Sequence, residues 1–211
     1  MQHPPVIVIN LDHRTDRWAE TIAAFPGMPL ERFSSIKEPS GVDGCRKSHL
    51  AVVRVAKERN YPWVAIMEDD CMPYPHFQHE YNSILPLLWK HKSEWDIFNS
   101  GPINLKSMYR LEHNLVRVDT STCIQFYIVN STAYDGILEH VYGVDHSEVD
   151  HYYEEKFIHG VVPHANASRV VTCAPPLTYQ RNSKSDIQIY YNIGETNEFN
   201  IAYKKIMMFC R

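Results

Sequence analysis

Trp63-Val64-Ala65-Ile66-Met67-Glu68-Asp69-Asp70 is the stretch on which the fold turns. Five apolar residues in succession, apolar on both faces, read as a buried strand of a largely parallel sheet, and the run stops abruptly in three acids. A second run of this kind, Val6-Ile7-Val8-Ile9, passes directly into the polar Asn10-Leu11-Asp12-His13-Arg14-Thr15-Asp16-Arg17. Between the two runs, helical spacing is expected from Trp18 to Phe25 and again after the Gly41/Gly44 turn up to Arg59, with a weaker extended segment at Arg32–Ile36. Strands that alternate with helices and end in polar residues define an α/β protein, whose ligands gather at the carboxyl ends of the strands.

The same reading extends outward. Phe77, Tyr81, Ile84, Leu85 and Leu88 recur at helical intervals, with Pro86 expected to bend or divide that helix. Trp95-Asp96-Ile97-Phe98 reads as a third core strand leading into Asn99-Ser100-Gly101-Pro102. Leu115–Val118 and Cys123–Val129 read as strands of a mixed sheet, and Thr132–Val141 as a helix. Val161-Val162 and Arg169–Val171 are short strands, Pro175-Pro176 an irregular crossing, Tyr190–Asn200 a loop and Ile201–Cys210 a closing helix. No internal repeat is visible.

The 211 residues suit one generous domain, and with 44% hydrophobic and 22% charged residues the chain can bury a real core; fibrous and disordered classes are excluded. A formal charge of -4 offers no general field for a nucleic acid, so none is expected as a partner. Five scattered cysteines without Cys-x-x-Cys spacing read as reduced thiols, not as a zinc or redox pair. No stretch has the roughly 18 apolar residues of a membrane span, and the chain as given reads as soluble and cytoplasmic. Asn130 and Asn166 stand in Asn-x-Ser/Thr matches, which bear on glycosylation only in a secretory compartment.

Three successive carboxylates repel one another unless a cation joins them. Because side chains alternate along an extended segment, Glu68 and Asp70 point to one site and Asp69 elsewhere. In that arrangement Asp70 holds Mn²⁺ or Mg²⁺ directly, Glu68 acts through water or on a ribose hydroxyl, and the metal neutralises a departing diphosphate. The competing reading is a solvated strand terminus with no ligand.

Val8–Arg17, then Gly44-Cys45-Arg46-Lys47-Ser48-His49, then Ile66–Asp70, together resemble the ordered signature of family 25 glycosyltransferases, which include lipopolysaccharide and procollagen galactosyltransferases. Trp95–Ile97, Thr122–Ile128 and Pro176–Gln180 followed by Ser185–Ile187 are similar to later segments, so the resemblance covers most of residues 5–187. It implies a GT-A-type fold: one α/β domain over 1–211 with a central mixed sheet, a Rossmann-like nucleotide-binding half at about 1–105 and an acceptor-facing half at about 106–211. It further implies a UDP-sugar donor, transfer of a hexose with inversion to a glycan or glycoprotein hydroxyl, and a metal and diphosphate site at Glu68, Asp69 and Asp70. The chain also resembles amino-terminal domains of long proteins encoded by large algal viruses, which implies further domains of a longer polypeptide and, for that source, the host cytoplasm.

Roles for the remaining groups follow from that frame. Asn10 and Leu11 are expected to present groups to the base, Arg14 or Arg17 to approach phosphate, and Ser48 and His49 to orient nucleotide or sugar near a helix start. Asp96 is expected on donor hydroxyls, Gln180 and Ser185 in the late donor pocket, and His164 as a further metal ligand. Inversion needs a base on the acceptor hydroxyl; Asp150 is the first choice and Asp145 and Glu148 are alternatives, in a region, Val144–His151, that departs from the family pattern. A helix cap accounts equally for Ser147-x-x-Asp150.

Overall fold

The computed structural model describes residues 3–105, 107–119, 121–139, 169–181 and 196–210. The chain is a mixed α/β protein with a Rossmann-like first half. Strand β1 (Val6–Asn10) is followed by helix α1 (Thr15–Ala24) and β2 (Leu30–Ser34), then by α2 (Gly41–Glu58) and β3 (Trp63–Glu68). These three strands are parallel, with β1 in the middle: Val6 lies opposite Leu30 on one side and Ala65 on the other. After β3 come β4 (Cys71–Pro73), α3 (Phe77–Lys90), β5 (Ile97–Asn99), β6 (Met108–Glu112), β7 (Leu115–Val118), β8 (Phe126–Asn130) and α4 (Tyr134–Glu139). Beyond those are β9 (Val170–Cys173), β10 (Thr178–Gln180) and α5 (Thr196–Phe209). Eight strands form one sheet in the order β2-β1-β3-β8-β5-β9-β7-β6, and β4 and β10 pair separately as an antiparallel ribbon.

Strand β8 runs antiparallel to both its neighbours, β3 and β5, while β5 and β9 are parallel. The central sheet is therefore mixed, as expected of a GT-A-type layout. Its inner strands β1, β3, β8, β5 and β9 are almost wholly buried because both faces are covered there. Ile7, Ile9, Val64 and Ile66 pack toward α2, α4 and α5, through Leu50, Val53, Ile137 and Ile206 among others. Val6, Val8, Ala65 and Met67 pack toward α3 and the end of α1, against Phe25, Phe77, Ile84 and Leu88. The alternation along β1 and β3 thus assigns each residue to one of two cores.

The two buried runs, β7 and the irregular crossing at Pro175-Pro176 lie where the sequence places them, whereas α2 begins at Gly41, so that the turn expected at Gly41 and Gly44 is already helix, capped by Ser40. Other elements differ. The helix from Phe77 is not divided at Pro86 but runs through it to Lys90. The third core strand begins at Ile97, so Trp95 and Asp96 precede it. The closing helix starts at Thr196, inside the expected loop. The short β4 and β10 and the half-exposed β6 were not anticipated, because two or three residues carry no period and an edge strand has no buried face to mark it. Asn130 is buried and its amide donates to the carbonyls of Lys92 and Trp95, so this glycosylation match is committed to the core. Asn166 and Val161-Val162 lie outside the described residues. All five cysteines are free thiols. No helix among the described residues is long and apolar enough to cross a membrane.

Gly44 shows how tightly the β2–α2 connection is set. A Cβ there would stand 2.6 Å from the carbonyl oxygen of Ile36, a backbone atom with little room to retreat. Gly44→Ala is expected to destabilise the protein by about 1–3 kcal/mol through this overlap, despite the roughly 1 kcal/mol that alanine gains in an isolated helix. The urea midpoint should fall with an unchanged slope; a midpoint that rises would mean that the loop yields.

Candidate functional site

From β1 the chain turns to one side, into β2, and from β3 it proceeds to the other. The crevice between the carboxyl ends of β1 and β3 is a topological switch point, the usual ligand position in open α/β sheets. A cavity of about 350 Å³ opens there. Its walls come from the end of β1 (Ile9, Leu11, His13), the β2–α2 loop (Ser35 to Pro39), the first turns of α2 and the acidic end of β3.

Glu68 ends β3, Asp69 and Asp70 form the turn that follows, and the three acids take different partners. Asp69 faces α1: its Oδ1 accepts from Arg17 at 2.8 Å and its Oδ2 from the Asn10 amide at 2.7 Å. Arg17 is only 6% exposed, so this is a buried pair. The Thr21 hydroxyl adds a bond to the Asp69 carbonyl. Glu68 shares the parity of Val64 and Ile66 and faces α2. Oε1 of Glu68 lies 3.1 Å from Nε2 of His49, whose Nδ1 lies 2.7 Å from the Tyr127 hydroxyl. Tyr127, His49 and Glu68 thus form a chain from β8 through α2 to β3.

Asp70 is the least compensated of the three. Its Oδ2 accepts from Nε2 of Gln180 at 3.1 Å and lies 3.9 Å from Arg17, but its Oδ1 is buried with no hydrogen-bond partner. Burial pushes the Asp70 carboxyl up to about 7, the neighbouring Glu68 and Asp69 charges push in the same direction, and Gln180 and Arg17 oppose them. Gln180 is itself held by the Cys123 thiol, which donates to its Oε1. Cys123 adopts a left-handed φ of 69°, uncommon for a residue with a side chain. An orphaned buried oxygen beside a second carboxylate fits a small divalent cation with oxygen preference, so Mn²⁺ or Mg²⁺ suits these residues.

The other expected site residues divide. Leu11, Arg17, His49 and Gln180 line the cavity with the three acids. Asn10, 1% exposed, is consumed in structure: beyond its bond to Asp69, its amide also reaches the Arg14 carbonyl and its oxygen accepts from Arg32. Arg14 forks onto Asp16 at the surface. Ser48 is fully buried and acts as a clamp, accepting from the Ile36 amide and donating to the Gly44 carbonyl, so it shapes the cavity wall without reaching its contents.

The structure does not bring Asp96 to the cavity where it was expected to meet donor hydroxyls. Asp96 precedes β5, aligned with Asn130 and hence with Trp63, at the opposite end of the sheet from Glu68, about 17 Å away along the strands. There it is buried between Arg169, at 2.7 and 3.1 Å, and the Thr132 hydroxyl. Asp145, Glu148, Asp150, His164 and Ser185 lie outside the described residues. Lys37, His13 and Cys45 line the cavity although the sequence did not single them out. Lys37 sits on a connection without a motif, whereas His13 and Cys45 fall within Val8–Arg17 and Gly44–His49 with no role of their own; Cys45 stands one helical turn before His49, a spacing that would have flagged it.

No known family matches the sequence, and no curated protein does either. Among solved structures, A197 from STIV superposes with a TM-score of 0.52 and 11% identity, over 86% of this chain and 87% of that one. A glycosyltransferase involved in the glycosylation of the major capsid of PBCV-1 gives 0.47 and 10%, over 82% and 83%. Apo UDP-glucose pyrophosphorylase gives 0.45 and 11%, over 95% and 82%. At such identities the likeness to A197 is one of fold.

Asp70 has a measurable signature. Between the ordinary aspartate value of 3.8 and about 7 the folded protein keeps a proton that the unfolded chain has released, so stability declines as pH rises through that window. In chelator-containing buffer, Asp70→Asn is expected to be more stable than the parent by about 1–3 kcal/mol above that window, the difference closing below it. A constant difference from about pH 4 to pH 8 would show that Asp70 stays ionised throughout.

Proposed function

We propose that this protein is a metal-dependent glycosyltransferase that moves a hexose from a UDP-sugar to a hydroxyl of a glycan or glycoprotein. The observation that carries the reading is Asp70: a buried carboxylate with an orphaned oxygen, beside Glu68, in a cavity at the switch point of a Rossmann-like half. The ordered resemblance of Val8–Arg17, Gly44–His49 and Ile66–Asp70 to family 25 supplies the donor class.

In this reading Asp70 and Glu68 hold Mn²⁺ or Mg²⁺, with His164 as a further ligand. The bound ion supplies positive charge opposite the departing diphosphate. Leu11 and Ile36 provide apolar walls for a nucleoside, and Lys37, at the cavity rim, is the cation placed to meet a phosphate oxygen. Arg17 acts from below, fixing Asp69 and moderating the negative charge under Asp70. Gln180 keeps one Asp70 oxygen oriented, and Ser185 keeps the role toward the donor that the resemblance implies. Inversion requires that the acceptor hydroxyl lose its proton as its oxygen attacks the anomeric carbon from the face opposite the diphosphate. Asp150 is the base of choice, with Asp145 and Glu148 as alternatives.

Calorimetry of a UDP-hexose panel, with and without Mn²⁺, tests the reading on the parent and on Asp70→Asn. Metal-dependent binding is expected, weakened by about tenfold or more in the variant, which corresponds to roughly 1.4 kcal/mol. Binding without transfer to any acceptor would mark a nucleotide-sugar-binding module. Release of inorganic phosphate would mark a phosphoryl-group enzyme, and failure of UDP, GDP and dTDP sugars alike would remove the reading.

A further inference from the structure

Cys45 and His49 stand four residues apart on α2 and therefore project from one face of the helix, toward the end of β3 where Glu68 reaches the same side. The Cys45 sulfur, an imidazole nitrogen of His49 and a carboxylate oxygen of Glu68 all lie within 4.8 Å of one another. All three residues line the cavity, so the space between them is reached from it. The His49 ring is not free to turn, because its Nδ1 engages the Tyr127 hydroxyl at 2.7 Å, leaving Nε2 directed at Glu68. A histidine held through its far nitrogen in this way has the outer-sphere support that metal-ligating histidines characteristically have.

The donor set differs in kind from that of Asp70. Sulfur, imidazole nitrogen and one carboxylate oxygen form a borderline-soft set that suits Zn²⁺ and its analogues, whereas paired carboxylate oxygens suit Mn²⁺ or Mg²⁺. Three protein ligands with the remaining side facing a cavity leave one position of a tetrahedron open to water or to a bound molecule. We infer that Cys45, His49 and Glu68 form a site for a thiophilic divalent cation of the Zn²⁺ class, with a fourth position open to the cavity. Glu68 then belongs to two sites, and an ion of this class competes with the oxygen-preferring ion for it. The inference stands apart from the sugar-transfer reading, since it rests on the three donors alone.

Titration of the full chain with Co²⁺, without nucleotide or sugar, tests it by absorption. The parent is expected to develop a thiolate-to-cobalt charge-transfer band together with the intense visible bands of a four-coordinate ion. Zn²⁺ should abolish both at stoichiometric amounts, whereas Mg²⁺, which competes through Glu68 alone, should weaken them only in large excess. Cys45→Ser should lose the charge-transfer band even though Cys71, Cys123, Cys173 and Cys210 remain. Tyr127→Phe keeps the ring and removes only the hydroxyl behind His49; it should weaken Co²⁺ by roughly 10–100-fold, an effect that a purely structural tyrosine would not produce. The absence of a charge-transfer band in the parent, or its survival in Cys45→Ser, would overturn the site. UDP-sugar binding by the same protein would be untouched by either result.

Discussion

A buried ion pair, Arg17 with Asp69, sets the geometry of the amino-terminal half. It joins α1 to the end of β3, and the Asn10 amide on the other Asp69 oxygen draws in the end of β1. Arg32 extends the same knot to β2 through Asn10. Burying a carboxylate costs several kcal/mol unless its charge and lone pairs are met, and removing one partner of such a pair exposes that cost, about 3–5 kcal/mol. Four elements, α1, β1, β2 and the end of β3, must therefore arrive together at one point, and the point is the floor of the cavity.

This knot also explains how a run of three acids can end a buried strand. Asp69 turns to α1, where Arg17 and Asn10 meet its charge, while Glu68 and Asp70 line the cavity, Glu68 against α2 and Asp70 against β10. There compensation is partial: Glu68 meets His49, while Asp70 meets Gln180 with one oxygen only. The charge left over is thus confined to one wall of one cavity. Polar groups buried without a full set of partners are rare and costly, and here they coincide with the opening where a ligand would sit.

What was legible in the sequence was what is local. The branched runs of β1 and β3 and the helical spacing of α2 follow from neighbours within a few residues, and the structure displays them directly. What was not legible depends on distant partners. Asp96 follows Trp95 in what reads as a strand, but nothing nearby says that Arg169, 73 residues on, will neutralise it at the far end of the sheet. Ser48 follows a helix start, yet the folding back of Ile36 decides that its hydroxyl is consumed. β4 and β10 exist because each completes the other's ladder, and no periodicity announces a ribbon of three residues. Cys45 and His49 share a helix face, but only β3 brings Glu68 to them.

Strand β8 carries a consequence for how the chain is made. It fills the place between β3 and β5, yet it lies some sixty residues after β3 in the chain. During synthesis, β1, β2 and β3 can pair as soon as they emerge, while the edge of β3 from Trp63 to Met67 stays bare until residues 126–130 leave the ribosome. An uncovered apolar edge is a template for pairing with other chains. A nascent chain stalled before β8 therefore presents a bare, apolar strand edge to its surroundings.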